Sequence, residues 1–105
     1  MRHQLISLLA LASCAAAHAT PLTPEDKAVL KSGTNNSCLE TQVKEAANKT
    51  MTVGQLQTYC ECYATAFSNY MQIEDLESNK ETLTPETTRR AGEFSQQCVA
   101  STLKK

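Results

Sequence analysis

Tryptophan is absent from this chain, and phenylalanine occurs only at Phe67 and Phe94. The shortage of large apolar side chains limits the core the chain can build. Burying one such side chain gains about 1.5–3 kcal/mol, whereas ordering each residue costs on the order of 1.5 kcal/mol. A domain this small is marginal on that balance without covalent help. Histidine is confined to His3 and His18, so the rest of the chain has no imidazole to activate a cysteine or serine nucleophile. Positive charge is scarce too. The formal net charge is −1, and Arg89-Arg90 and Lys104-Lys105 are the only basic doublets. That is too little for a nucleic-acid footprint, and no nucleic-acid partner is expected. Long hydrophobic runs are also missing. The apolar run Leu5 to Leu11 falls short of the roughly 20 residues of a membrane-spanning helix, so no transmembrane span is expected.

What is present at the N-terminus is the three-part pattern of a secretory signal peptide. Arg2 and His3 form a basic start, Leu5 to Leu11 an apolar centre, and Ala17-His18-Ala19 a small-x-small cleavage site. Residues 1–19 are therefore read as the signal segment and 20–105 as a single helical domain. A competing cut lies in Leu11-Ala12-Ser13-Cys14, which resembles a bacterial lipobox. It would make 1–13 a lipoprotein signal and Cys14 a lipidated membrane anchor. Without Arg2 the mature chain carries nine Lys and Arg against eleven Asp and Glu. On either cut Cys14 leaves the folded domain and four cysteines remain: Cys38, Cys60, Cys62 and Cys98. Export with an even cysteine number points to disulfides, in a secreted or periplasmic location.

Helix signals dominate after residue 20. Thr23-Pro24-Glu25-Asp26 supplies an N-cap, a proline at the first helical position and acids in the first turn. It predicts a short helix over 24–31, stopped by Gly33. Ser37-Cys38-Leu39-Glu40 reads as a capping box opening a second helix to about Ala47, with Leu39, Val43 and Ala46 on its buried face. Thr52-Val53-Gly54-Gln55 is another capping box. Behind it, Val53, Leu56, Cys60, Tyr63, Phe67 and Tyr70 recur at steps of three and four and mark the core helix. A break near Met71 leads to an acidic helical turn over 73–77. Thr84-Pro85-Glu86 starts the last helix, with Ala91, Phe94 and Cys98 on one face and Lys104-Lys105 suiting its C-terminal dipole. Glu86–Arg90 and Arg89–Glu93 are spaced for solvated ion pairs. The expected fold is all-α, a small bundle of three to five helices stapled by two disulfides.

Each helical residue turns about 100°, so Cys60 and Cys62 project roughly 200° apart and cannot bond each other without breaking the helix. One helix is thus expected to be stapled to two neighbours, one per cysteine. If the hairpin before it turns near residue 50, Cys38 lies about twelve residues before the turn and Cys62 about twelve after it. This register predicts Cys38–Cys62 and Cys60–Cys98, with Cys38–Cys60 and Cys62–Cys98 as the alternative. A redox-active Cys60/Cys62 pair is disfavoured, because no Lys, Arg or His adjoins the motif and Glu61 raises a neighbouring thiol pKa. A zinc site from the four cysteines lacks paired spacing, so no metal is expected.

Other constellations are weaker. Glu74, Asp75, Glu77 and Glu81 cluster without the alternating ligands and central glycine of a calcium loop. Asn35-Asn36-Ser37 and Asn48-Lys49-Thr50 match the N-glycosylation pattern at Asn35 and Asn48, relevant only in a eukaryotic source. Tyr63 and Tyr70 fall on the core stripe, leaving Tyr59 as the tyrosine to watch for exposure. No cofactor motif is present. The functional expectation is a non-enzymatic protein that binds another exported or envelope protein, as an inhibitor, immunity-type or accessory protein. The alternatives are a small carrier of an apolar ligand and a thiol–disulfide oxidoreductase using Cys60 and Cys62.

Overall fold

A computed structural model describes residues 20–103. Residues 1–19, on which the signal-segment and Cys14 expectations fall, and Lys104-Lys105 lie outside the described residues. The chain runs through α1 (Pro24–Lys44), a 3-10 turn (Ala46–Asn48), α2 (Val53–Tyr70), α3 (Ile73–Ser78), α4 (Pro85–Cys98) and a π-helical turn (Val99–Leu103). The all-α expectation holds, with two disulfides linking the helices.

The helix starts follow the predicted local chemistry. Thr23 Oγ1 accepts from the N–H of Asp26, and Thr84 Oγ1 from that of Thr87, each followed by proline. Thr52 and Gln55 close the reciprocal capping box of α2. Such caps satisfy backbone donors that have no partner inside the helix, which is why short sequence motifs report them reliably. Gln72 and Asp75 form the same kind of box ahead of α3.

The predicted division of the first helical region is overturned. Instead of two helices parted at Gly33, a single 21-residue α1 passes through Gly33-Thr34-Asn35-Asn36-Ser37. Gly33 costs up to about 1 kcal/mol there relative to alanine, but no proline removes a ladder hydrogen bond. Ser37 gives up its N-cap role. The antiparallel packing of α1 along α2 and the Cys38–Cys60 bond hold the weak middle in place.

The second helix forms the centre of the molecule. It packs against α1 on one side and against α4 and the terminal π turn on the other. Its buried side chains are Leu56, Tyr59, Cys60, Ala64 and Ser68, and Leu22, Met71, Phe94 and Cys98 complete the apolar core. Two expected core valines do not join it: Val43 is 50% and Val53 56% exposed. Both lie towards the hairpin end, where α1 and α2 have no third helix over them. Ala46 falls outside α1 and is exposed.

Candidate functional site: the paired disulfides and an adjoining apolar groove

Cys60 and Cys62 do leave α2 towards different neighbours, but the pairing is the reverse of the favoured one. The bonds are Cys38–Cys60 and Cys62–Cys98, with Cα–Cα separations of 5.7 and 5.8 Å. The cause is register. The first helix ends at Lys44 and the second begins at Val53, which centres the hairpin between residues 48 and 49, one to two residues before position 50. Cys38 therefore faces Cys60, and Cys62 is left for the last residue of α4. Cys60 is fully buried and Cys98 nearly so, while Cys62 is half-buried with its sulfur 3.9 Å from Ser101 Oγ. A cation does approach the motif from outside its sequence neighbourhood: Lys31 Nζ of α1 lies 2.7 Å from Glu61 Oε2.

The tyrosines also differ from expectation. Tyr59 is buried, 6% exposed, and its hydroxyl lies 2.7 Å from Ser95 Oγ on α4. Tyr63 and Tyr70 are half-buried. Along one face of α2 the rings of Tyr59, Tyr63 and Phe67 stack at four-residue spacing, with centroids 6.3 and 6.0 Å apart. Burial, and secondarily the neighbouring Tyr59, pushes the Tyr63 phenol above its usual pKa. Tyr70 belongs to another cluster. Its ring meets Phe94 edge-on, and the Arg90 guanidinium sits 5.3 Å from Tyr70 and 5.1 Å from Phe94. The predicted Glu86–Arg90 pair is replaced by Arg89–Glu86, while Arg90 turns to Glu93 at 2.7 Å.

The aromatic row is the floor of an open groove of about 670 Å³. The first helix supplies one wall through doublets four residues apart: Val29-Leu30, Gly33-Thr34, Ser37-Cys38 and Thr41-Gln42. Leu83, in the loop before α4, and Ser95 border the other side. None of the lining residues is charged. Val29 is 73% and Leu83 52% exposed, so the apolar character reaches the groove's edges. An ideal Cβ on Gly33 would meet nothing within 4 Å, so the wall is open there. The sequence placed Tyr63 and Phe67 on the core stripe of α2; Leu56 and Cys60 of that stripe are buried, but Tyr63 and Phe67 are only half-buried.

The remaining predicted sites are absorbed by the fold. Asn35 lies inside α1 with Oδ1 buried, and Asn48 Nδ2 donates to the carbonyl and the side-chain Oε1 of Gln42. Asn48 thus ties the turn after α1 back to Gln42, whereas Asn35 Oδ1 has no hydrogen-bond partner among the described residues. Of the acidic cluster, Asp75 accepts from the N–H of Gln72 and Glu74 accepts from Thr20. Among the described residues no three or more His, Cys, Asp or Glu converge to hold a metal. No helix among them is long and apolar enough to cross a membrane. No protein-family model, curated protein or solved structure matches the chain.

Proposed function

We propose that this chain is an exported binding protein whose α1–α2 groove receives one amphipathic helix of another exported or envelope protein. The observation that carries the reading is the partial covering of α1: no residue of this 21-residue helix is fully buried, and Val29 at the groove's edge is 73% exposed. Half-buried Tyr63 and Phe67 of α2 line the groove beside it. Val29 to Gln42 spans about 20 Å of helix and Tyr59 to Phe67 about 12 Å, at 1.5 Å per residue. A partner helix of three to four turns fits that length and would dock its apolar face as in other helix-in-groove recognition. The two disulfides support the reading by fixing both flanks of α2, since a preorganised surface loses less entropy on binding. They also suit an oxidising compartment outside the cytoplasm.

The test places a photo-reactive amino acid at Tyr63 and, as control, at Gln57, which is exposed and outside the groove. Capture of a partner at position 63 alone, abolished by Gly33→Leu with the helical spectrum unchanged, is the expected result. Equal capture at both positions, or capture indifferent to Gly33→Leu, would overturn the assignment of the groove.

A second reading, a carrier of a small apolar ligand, draws support from the groove's volume, within the roughly 300–1,000 Å³ of ligand sites. Such ligands are typically 70–90% enclosed, and the openness of this groove favours the helix. Saturable one-to-one binding of an apolar dye, lost in Gly33→Leu while no protein is captured, would reverse that order.

A further inference from the structure

The described chain opens with a short extended segment laid against the corner between α2 and α3. Thr20 O accepts from the N–H of Ile73 at 3.0 Å, and Pro21 pairs with Gln72 in an isolated antiparallel bridge. Leu22 is buried, as is Met71 where the corner turns, and Thr23 then caps α1. Four successive residues are thus tied down ahead of the first helix. At the head of this segment both donors of Thr20 point at one carboxylate. Its backbone N–H lies 3.2 Å from Glu74 Oε1, and its hydroxyl donates to Glu74 Oε2 at 2.7 Å.

Thr20 is also the residue that follows the small-x-small site Ala17-His18-Ala19. Hydrolysis of the Ala19–Thr20 bond would leave a carboxylate on the departing segment and a free amine on Thr20. That amine has an ordinary pKa near 7.7–8.0, so it is mostly protonated at neutral pH. We propose that Glu74 is the docking site for the mature N-terminus: cleavage after Ala19 turns an amide–carboxylate hydrogen bond into an ammonium–carboxylate ion pair, a latch. The proposal rests on the export reading above.

The carboxylate already strengthens its bonds from the Thr20 amide and hydroxyl because the acceptor is ionised, and an ammonium in place of the amide adds the attraction of two opposite charges. It also discriminates between the two cleavage sites. A chain processed at Cys14 keeps an uncharged amide at Thr20 and gains no ion pair.

The experiment exports the full-length chain from a bacterial host, as wild type and as Glu74→Gln. Intact mass identifies the N-terminus of each product. Periodate then reads the latch, because it cleaves an N-terminal Thr only when the amine and the hydroxyl are both accessible. We expect a Thr20 start in both products and oxidation at least several-fold slower in the folded wild type than in Glu74→Gln, with the difference lost on unfolding. A Glu74→Asp variant, whose shorter carboxylate cannot span both donors, is expected to react like Glu74→Gln. A start at Cys14 would overturn the cleavage on which the latch depends. A Thr20 start with equal folded rates would overturn the latch and leave the export reading standing.

Discussion

At the scale of single residues, buried polar atoms show how the helices are matched. The Tyr59 hydroxyl and Ser95 Oγ join α2 to α4 at 2.7 Å. Tyr59→Phe keeps the ring but leaves Ser95 without that partner. It should cost about 0.5–1.5 kcal/mol in urea unfolding, and adding Ser95→Ala should cost much less than the two changes summed. Tyr63 gives a pH signature. Its pKa is raised in the folded state by burial, so the neutral phenol is favoured there. The associated stability is fully present below the unfolded value near 10 and is lost as pH rises through the higher folded value. Alkaline unfolding curves should therefore steepen above about pH 10, and Tyr63→Phe should flatten them. Tyr59 and Tyr63 also show a limit of sequence reading. A period of three to four residues identifies a stripe but leaves open which of its rings lies deepest, and here a ring outside the expected stripe is the buried one.

At the scale of elements, the corner between α3 and α4 is held by a polar knot. Asn79 Nδ2 donates to the carbonyl of Asp75 and to Thr87 Oγ1, while Asn79 Oδ1 accepts from the N–H of Thr84. Thr84 Oγ1 donates to Thr87 Oγ1, whose residue is only 1% exposed. Thr87→Val preserves shape but withdraws the acceptor from Asn79 and Thr84, and thermal unfolding should show a loss of about 1–3 kcal/mol. Glycines test helix continuity in the opposite direction. An added Cβ meets nothing within 4 Å at Gly33 or Gly92, both exposed inside helices. Gly33→Ala and Gly92→Ala should each stabilise by about 0.5–1 kcal/mol. A loss at Gly33 would mean that α1 is broken there after all.

At the scale of the whole molecule, each disulfide joins a half-buried cysteine to a buried one, and the two close loops of different length. Cys38–Cys60 spans 22 residues within the α1–α2 hairpin, and Cys62–Cys98 spans 36 and ties on α4. On the chain-entropy model each contributes about 3–4 kcal/mol, a large share of the 5–15 kcal/mol typical of a domain. A Cys62→Ser/Cys98→Ser double variant should keep the α1–α2 hairpin but melt at lower temperature. The groove should bind independently of salt, since no charged side chain lines it and screening acts on charges.

The sequence by itself determined the all-α class, the starts of α1, α2 and α4, the acidic turn after Met71, and the separation of Cys60 from Cys62. Each of these rests on interactions within four residues, where caps, proline and the 100° helical step leave little choice. Tertiary structure alone decided that α1 runs through Gly33, that Cys38 meets Cys60, and that Tyr63 and Phe67 are only half-buried while Tyr59 is covered. Those outcomes depend on how one helix lies along another. Moving the centre of the hairpin by one residue shifts the facing position by two, which was enough to exchange Cys62 for Cys60.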